Sequence, residues 1–414
     1  MRNWAGNVVF SAEAVEEPRS VEELQALVAS RPLVRALGTG HSFSRVADTT
    51  GTLVSTRALP FELEVLPEER VAVVPGGATY AAVTAALHTQ GWALHNLGSL
   101  PHISVAGACS TGTHGSGDAN GSLSTAVTVV ELVRGDGELV RFAVGDREFP
   151  GAVLALGCLG VVTRLWLRIE PAYEMRQVVH SGIPAAGLLD GILDVFAAGD
   201  SVSVFTTFRD PSVVDAVWVK RRVGLDDGPA PALLGLEPSA TPQHPVPGMD
   251  PVATTTQLDT VGPWHHRLPH FRPEFTPSAG EELQSELFLP REHAAAALEA
   301  VTGLAPRLAG PLQVCEVRTV AGDDLWLSPC HGRDTVTVHF TWHPDRDAVD
   351  PVLAEVERVL EPFGARPHWG KVFHPVEPGR LQEMYPDLPS FRALAAAMDP
   401  GRRFRNEATD PLFA

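Results

Sequence analysis

The sequence predicts an α+β protein of more than one domain, whose second part is an antiparallel sheet with covering helices. The chain has 414 residues, and at about 150 residues per domain this length corresponds to two or three domains. Short strands, two helices and glycine-rich loops make up the first part, whereas strand-like segments with period two dominate beyond Pro171. We therefore divide the chain into residues 1–173, 174–370 and 371–414.

Composition and charge exclude several classes of protein. Charged residues make up 20% and hydrophobic residues 44% of the chain, as in ordinary globular proteins. The net charge of -18 opposes binding to nucleic acid or anionic lipid. Four scattered cysteines indicate neither a disulfide framework nor a zinc site. No signal peptide or membrane span is visible, so we expect a soluble, cytoplasmic protein without a nucleic-acid or membrane partner.

The first part contains recognisable helix and strand patterns. Ser20 and Glu23 form a capping box, which predicts a helix at 20–30. The segment 96–117 is rich in small residues and lacks a period, so we predict a long loop there. The other predicted elements are strands at 34–39, 52–55 and 159–170, hairpins at 61–77 and 125–142, and a helix at 79–91.

The second part alternates strands with two helices. A stretch rich in proline and glycine at 224–251 predicts a long surface loop. From Lys371 onward the chain is loop-rich with one short helix, 391–398, and we expect this tail to pack on the first part. The predicted strands are 201–208, 216–220, 283–290, 312–320 and 334–342, and the predicted helices are 291–304 and 347–363.

A glycine-bearing turn, GTGHSFS at 38–44, follows an early strand. Gly38 and Gly40 let backbone N–H groups gather around a phosphate. A fingerprint of the NAD type requires a third glycine and a following helix, but Phe43 occupies that position and the chain returns to strand. The pattern therefore disfavours an NAD-dependent dehydrogenase and, taken alone, favours a polar turn role for His41.

The loop at 96–117 carries glycines and hydroxyl side chains interleaved with Leu97, Leu100, Ile103 and Val105. These apolar residues prefer burial, which argues against a flexible linker. A buried loop with many small polar donors fits an extended polar ligand such as a dinucleotide cofactor.

Two predicted strands present polar faces. Glu316 and Arg318 share one face of their strand, and the next strand presents Thr337, His339, Thr341 and His343 on one face. An antiparallel sheet often has such a solvated side. The exposed side of an acidic protein would carry several Glu or Lys, however, so this mixture favours a pocket that satisfies neutral hydroxyl groups.

Lysine is rare in this chain, because only Lys220 and Lys371 are lysines among 32 basic residues. Unlike arginine, lysine loses its proton readily. Lys371 lies between Trp369 and Phe373, either as a snorkelling surface residue or at a reacting centre where it stabilises an alkoxide. HHRLPH at 265–270 lacks the spacing of a helical metal site, so we favour a structural role and predict no metal site.

Seven segments carry the pattern of a known family: GTGHSF (38–43), SLPHISVAG (99–107), TGTHGSG (111–117), LGVVT (159–163), CEVRTV (315–320), HFTWH (339–343) and RPHWGKVF (366–373). Together they resemble the alditol oxidases, including xylitol oxidases, of the vanillyl-alcohol-oxidase-type flavoproteins. The resemblance runs from residue 3 to about residue 404, whereas 406–414 diverges. It implies a vanillyl-alcohol-oxidase-type (PCMH-like) FAD-binding domain, formed by the first part and the tail, around the antiparallel-sheet substrate domain.

The resemblance also implies FAD as cofactor, attached covalently through His41. The loop 36–42 would hold the pyrophosphate. The implied FAD contacts are Ala36, Leu37, Gly38, Thr39, Gly40, His41, Ser42, Ser104, Cys109, Gly112, Thr113, His114, Gly115 and Val161.

The implied activity is oxidation of the terminal primary hydroxyl of polyols, such as xylitol and sorbitol, to the aldose. A hydride would pass to flavin N5, and O2 would be reduced to H2O2. Arg318, Lys371 and His339 are the implied catalytic residues; His339, neutral Lys371 or a water would take the proton. The implied substrate-binding residues are Ser104, Glu316, Arg318, Thr341 and Lys371.

Two alternatives remain from the sequence. One is an aldonolactone oxidase or dehydrogenase of the same superfamily, and the other is a non-catalytic flavin-binding or carbohydrate-binding protein. We expect a monomer whose partners are the polyol and O2.

Overall fold

The structure, a computed structural model, describes residues 1–224, 232–275 and 281–414. In the first part of the chain the helices are α1 (Val21–Ser30), α2 (Tyr80–Thr89), α3 (Val105–Thr111) and α4 (Phe149–Val153). The strands there are β1 (Ala14–Glu16), β2 (Val34–Leu37), β3 (Thr52–Ser55), β4 (Glu64–Leu66), β5 (Val71–Pro75), β6 (Trp92–Ala93), β7 (Val127–Val133), β8 (Leu139–Ala143), β9 (Val161–Arg168) and β10 (Glu170–Pro171).

These strands form small sheets on which the loops of the first part rest. The order β1-β3-β2 is parallel, and β4-β5-β9-β7-β8 is an antiparallel sheet of five strands among the described residues. Both predicted hairpins are confirmed. The N-cap at Ser20 is confirmed, because the Glu23 backbone N–H donates to Ser20 Oγ at 3.2 Å and starts α1. The reciprocal half of the capping box differs, because the Glu23 carboxylate accepts from the Arg19 N–H and not from that of Ser20.

The prediction of an unbroken loop at 96–117 was wrong, because α3 lies within it. Val105, Ala108 and Cys109 form one buried stripe of this two-turn helix. Gly112 ends it with a φ of 74°, a conformation that favours glycine. The short length and the small residues of α3 hid its period from the sequence.

The second part contains the helices α5 (Ala185–Asp190), α6 (Ile192–Phe196), α7 (Ala294–Thr302), α8 (Ala305–Leu308) and α9 (Arg346–Leu360). Its strands are β11 (Glu174–Pro184), β12 (Ser201–Thr206), β13 (Val213–Arg222), β14 (Gly262–Pro263), β15 (Leu283–Pro290), β16 (Leu312–Val320), β17 (Thr335–Trp342) and β18 (Arg366–Pro367). The predicted strands and helices are confirmed, whereas the strands β11, β14 and β18 and the helices α5, α6 and α8 were missed. The described residues of the predicted loop at 224–251 contain only an isolated bridge between Leu233 and Leu236 and the start of a 3-10 helix at Pro251, and 225–231 lies outside them.

The strands of the second part form an antiparallel sheet in the order β14-β11-β13-β12-β16-β17-β15-β18, eight strands within the described ranges. Val317, Val338 and Phe340 are fully buried in the same core as Leu353 and Val356 of α9. The helices therefore cover one face of the sheet, as predicted. The opposite face carries Glu316 and His339 and turns toward the first part.

The tail contains two helices, α10 (Pro378–Met384) and α11 (Leu388–Met398), instead of the single short helix predicted. Pro378 at the first position starts α10 without leaving a periodic apolar signal. The tail packs on the first part as expected: Phe391 shares a core with Val130, and the Val34 N–H donates to the Arg403 carbonyl at 2.8 Å. Among the described residues, no helix combines the length and the apolar character that crossing a membrane requires.

Candidate active site

A cavity of about 650 Å³ lies between the glycine-rich loops of the first part and the uncovered face of the eight-stranded sheet. Its size falls in the range of sites for small ligands and cofactors. The loops 36–44 and 98–114 form one side, here named the glycine wall. The opposite side, the charged wall, consists of Glu286, Glu316, Arg318, His339 and Lys371.

The glycine wall brings backbone close to the cavity. A Cβ on Gly38 would meet Ser104 Oγ, so this hydroxyl would have to turn away, and Gly40 adopts a φ of 71°, a conformation that favours glycine. The Ser104 N–H donates to Thr39 Oγ1 at 3.2 Å and joins the two loops. Neither loop contains Asp or Glu, although the chain carries a net charge of -18. The donor set therefore fits an extended, phosphate-bearing cofactor.

Most of the expected cofactor contacts line this cavity. Three of them, Gly112, Gly115 and Cys109, do not belong to its described lining. Gly112 caps α3, and Gly115 packs against Asn96. Cys109 lies beside Tyr80, with 3.6 Å between Sγ and Oη. Burial raises the pKa of the Cys109 thiol to about 12. The expected contacts found in the lining are Ala36, Leu37, Gly38, Thr39, Gly40, His41, Ser42, Ser104, Thr113, His114 and Val161.

His41 projects from the glycine wall as a neutral imidazole. Its ring stacks on Trp4 with centroids 5.1 Å apart, and Nδ1 lies 2.9 Å from Thr39 Oγ1. Burial, with His102 and Lys371 nearby, lowers the pKa of His41 to about 4. At neutral pH the ring therefore keeps a free nitrogen lone pair beside the cavity.

The register of three adjacent strands builds the charged wall. His339 on β17 pairs with Glu286 on β15 on one side and with Glu316 on β16 on the other. Side chains at paired positions point to the same face of a sheet. These three residues therefore form one row across the face that the helices leave uncovered.

Glu286 lies at the centre of the charged wall, and the sequence analysis missed it. It accepts hydrogen bonds from Arg318 Nη2 at 3.0 Å, from His114 Nε2 at 3.0 Å and from His339 Nδ1 at 3.2 Å. Burial alone would raise its pKa, but His114, His339 and Arg318 hold the pKa well below its usual range. The sequence did offer one signal for Glu286, because it is the single charged residue in the apolar strand LQSELFLP (283–290).

His114, Glu286 and His368 place their ligand atoms within 4.8 Å of one another, which raises the question of a metal. Arg318 donates to Glu286 in the same cluster. A guanidinium in this position repels a cation, so we interpret the cluster as a hydrogen-bonded network.

Lys371 and Arg318 bring positive charge to the cavity. The Lys371 ammonium donates to Gln284 Oε1 and lies 5.1 Å from the ring centroid of Phe43. Burial lowers the pKa of Lys371 to about 8. Burial also acts to lower the pKa of Arg318, but Glu316 and Glu286 outweigh it and raise that pKa. Both side chains therefore carry charge at neutral pH.

His339 and Thr341 complete the row predicted on β17. His339 Nδ1 donates to Glu286, which leaves Nε2 as the acceptor, 3.4 Å from Thr341 Oγ1. Burial lowers the pKa of His339, and Glu286 opposes this effect. His343 ends the same face but is exposed and does not contribute to the described lining.

Glu316 is held from behind by groups that sequence reasoning had placed elsewhere. His270, from the segment considered structural, lies 2.7 Å from Glu316 Oε1 through Nε2. Lys220 Nζ lies 3.2 Å from His270 Nδ1. Burial lowers the pKa of Lys220 to about 7, and Glu316 opposes this shift. Both lysines of the chain therefore belong to the charged wall or to its support.

Known protein families match the parts of the chain that form the two walls. The FAD binding domain family matches residues 12–143, and the D-arabinono-1,4-lactone oxidase family matches residues 281–412. Cholesterol oxidase from B. sterolicum superposes with a TM-score of 0.79 at 14% identity, covering 100% of this chain and 96% of that chain, which shows a shared fold.

Two curated relatives span nearly the whole length. L-gulono-1,4-lactone dehydrogenase of Mycobacterium tuberculosis is 28% identical, with 98% of this chain and 97% of the relative covered. An alditol oxidase of a Streptomyces species is 49% identical over 407 residues, which cover 98% of this chain and 96% of the relative. This chain therefore belongs to the alditol oxidase family of vanillyl-alcohol-oxidase-type, FAD-binding oxidoreductases.

Proposed function

We propose that this protein is an FAD-dependent alditol oxidase, which oxidises the terminal primary hydroxyl of polyols such as xylitol and sorbitol to the aldose and reduces O2 to H2O2. One observation carries the proposal: a phosphate-compatible glycine wall and a wall with Glu316, Arg318 and Lys371 face each other across one cavity. The relative that is 49% identical is an alditol oxidase, which supports this substrate class.

The glycine wall would hold the FAD. Backbone N–H groups of 36–42 would receive the pyrophosphate, and the lining residues of 98–114 would contact the remaining cofactor. His41 would form the covalent attachment, since its low pKa leaves a nucleophilic nitrogen at neutral pH. When bound, FAD supplies the acceptor for the hydrogen and electron pair that leave the alcohol carbon, and it passes the electrons to oxygen.

The charged wall would bind and activate the polyol. Lys371 and Arg318 would approach the C1 hydroxyl and stabilise negative charge as its proton leaves. Arg318 is fixed by Glu286 and Lys371 by Gln284, and groups held in place beforehand do not have to reorganise during the reaction. Glu316, Thr341 and Ser104 would accept or donate hydrogen bonds to the remaining hydroxyls.

His339 is the proton acceptor that the geometry supports best. Its Nδ1–H is engaged by Glu286, so the Nε2 lone pair is available beside Thr341. A carboxylate behind an imidazole stabilises the imidazolium that forms on proton uptake. Neutral Lys371 is the competing acceptor, and its ammonium form at neutral pH favours the electrostatic role instead.

An aldonolactone oxidase is the competing assignment. The lactone-specific relative is 28% identical and the alditol oxidase 49% identical at similar coverage, which favours polyols. A substrate series of xylitol, sorbitol and an aldonolactone, compared by rate of flavin reduction, separates the two assignments.

We further propose the division into 1–173, 174–370 and 371–414, because the tail completes the cores of the first part. A monomer in a reducing, cytoplasmic compartment is the state we expect, and the four free, buried cysteines agree with such a compartment. Light scattering of the purified protein tests the monomer.

The test of the activity is anaerobic addition of xylitol to the purified, flavin-loaded protein. We expect the visible flavin band to bleach, and to recover with release of H2O2 when air is admitted. A colourless protein would contradict the assignment, and a yellow protein that xylitol leaves unchanged would redirect it to lactones or to a binding role.

The covalent attachment has a separate test in His41→Ala. Acid precipitation should leave the flavin of the wild type in the pellet and release that of the variant into the supernatant. The exposed His343→Ala serves as a control that should retain attached flavin. Flavin still attached to His41→Ala would show that another residue forms the bond.

A further inference from the structure

A buried chain of polar groups extends from the cavity into the sheet behind Glu316. Glu316 Oε1 lies 2.7 Å from His270 Nε2, and His270 Nδ1 lies 3.2 Å from Lys220 Nζ. All three side chains are at least 90% buried. His270 contributes to the lining of the cavity beside Glu316, whereas Lys220 does not belong to the described lining, so Lys220 would influence a ligand only through its neighbours.

The hydrogen bonds of Lys220 fix the geometry of His270. Nζ donates to the carbonyl oxygens of Leu268 at 2.5 Å and Pro269 at 3.0 Å, which ties β13 to the turn that carries His270. An amine that also donates to His270 Nδ1 makes this nitrogen an acceptor. The ring proton then resides on Nε2, where it donates to Glu316.

With its proton on Nε2, His270 engages one oxygen of the Glu316 carboxylate and leaves the other free. Oε1 accepts from His270 and lies 3.4 Å from Arg318 Nε, whereas no described side chain donates to Oε2. Ser203 Oγ, 3.5 Å from His270 Nε2, is the other polar neighbour of that nitrogen. Glu316 is thus held by one oxygen and offers the other to a hydroxyl in the cavity.

We propose that Lys220 and His270 act as positioning residues that orient Glu316 for polyol recognition. The proposal rests on the proposed function, because it assigns the ligand hydroxyl to Glu316. Lysine is suited to this position since its compact ammonium carries three N–H donors on one tetrahedral centre, one for each acceptor, whereas the planar guanidinium of arginine does not. A chain that otherwise uses arginine almost throughout retains lysine here.

The pair His270→Leu and His270→Gln provides the test. Gln reproduces both hydrogen bonds, with its oxygen toward Lys220 and its amide N–H toward Glu316, whereas Leu removes both at similar size. We expect His270→Leu to raise the KM for xylitol about tenfold to a hundredfold, as for loss of a hydrogen bond to a charged group. His270→Gln should stay within about threefold of the wild type, and the limiting rate of flavin reduction should change little in either.

Lys220→Met should raise the KM in the same direction. In a Glu316→Gln background, both Lys220→Met and His270→Leu should add less than about twofold, because residues that act through one group are not additive. A purely structural role would instead give equal effects of His270→Leu and His270→Gln, or additive effects in the double variants, and either result would overturn the proposal.

Each variant is compared at equal flavin content, measured from its visible absorbance. Where Lys220→Met yields no flavin-loaded protein, the contrast between the two His270 variants decides. A wild type that xylitol fails to reduce would overturn the proposed function and this role together. A wild type that is reduced, alongside additive variants, would overturn the positioning role alone.

Discussion

The two walls of the cavity achieve recognition in opposite ways. The glycine wall exposes backbone by omitting side chains, and its critical positions are Gly38 and Gly40. The charged wall relies on ionised side chains that neutralise one another, with Glu286 between Arg318 and His339. The first design depends on local conformation and the second on strand register. A substitution in the glycine wall should therefore disturb the backbone conformation, whereas a substitution in the charged wall should disturb the balance of charges.

The largest effect is expected from Lys371→Met on the charged wall. Removing a fixed charge from a developing alkoxide should slow the reduction of bound flavin by about a hundredfold to a thousandfold. Anaerobic stopped-flow absorbance with saturating xylitol measures this rate. Arg346→Met, at an exposed ion pair of α9, is the control and should leave the rate unchanged. A rate for Lys371→Met within threefold of the wild type would remove Lys371 from the catalytic residues.

Glu286→Gln should lower stability, in addition to slowing proton uptake by His339. The amide keeps the shape of the side chain but removes one of the two buried carboxylates that balance Arg318, which costs about 3 kcal/mol in the free energy of unfolding. Denaturant titration of the flavin-loaded protein measures this change. Glu138→Gln at an exposed pair should alter stability by less than about 0.5 kcal/mol. Equal effects of the two substitutions would show that Glu286 is not central to the charged wall.

Gly38→Ala probes the glycine wall. The added Cβ meets Ser104 Oγ and forces this hydroxyl to turn away from its place on the glycine wall, so the flavin-to-protein ratio should fall by about half. Gly187→Ala is the matched control, because nothing lies within 4 Å of its added Cβ. Full flavin content in Gly38→Ala would mean that close approach at this position is dispensable.

The smallest effect concerns pH and the cost of burying a charge. The pKa of Lys371 is about 8 in the folded protein, below the 10.5 of a free lysine, so its charged form destabilises the fold. This cost is fully present below pH 8 and disappears as the pH rises toward 10.5. Lys371→Met should therefore raise the melting temperature by a few degrees, about 2 to 4 °C per kcal/mol, at pH 7.

The same comparison at pH 9.5 provides the check on its cause. There the advantage of Lys371→Met in melting temperature should shrink, because the native lysine has lost most of its charge. Because Lys371 lines the cavity, solvent there partly screens its charge, and the change in melting temperature should be modest. A difference that stays constant between the two pH values would assign it to packing instead of charge.

The two walls also differ in how far the sequence predicts them. Glycines and hydroxyls within 38–44 and 96–117 mark the glycine wall locally, since the backbone there follows from residue type. Period two placed Glu316 and His339 on the polar faces of their strands. It does not specify which strands are neighbours, however, so the central position of Glu286 on β15 depended on the register.

His270 and Lys220 illustrate the same limit. They are 50 residues apart, and their contact requires the turn before Phe271 to fold against β13. The histidine spacing in HHRLPH, at 265–270, predicted only a loop. The rarity of lysine was the one local signal, and the structure places Lys371 in the charged wall and Lys220 behind it.

The most direct test of the account is a crystal structure of the flavin-loaded protein with xylitol bound. We predict a terminal hydroxyl within hydrogen-bond distance of both Arg318 and Lys371, and a further hydroxyl on Glu316 Oε2. A polyol bound at the cavity rim, without contact to these three residues, would contradict the assignment of the charged wall as the site of substrate oxidation.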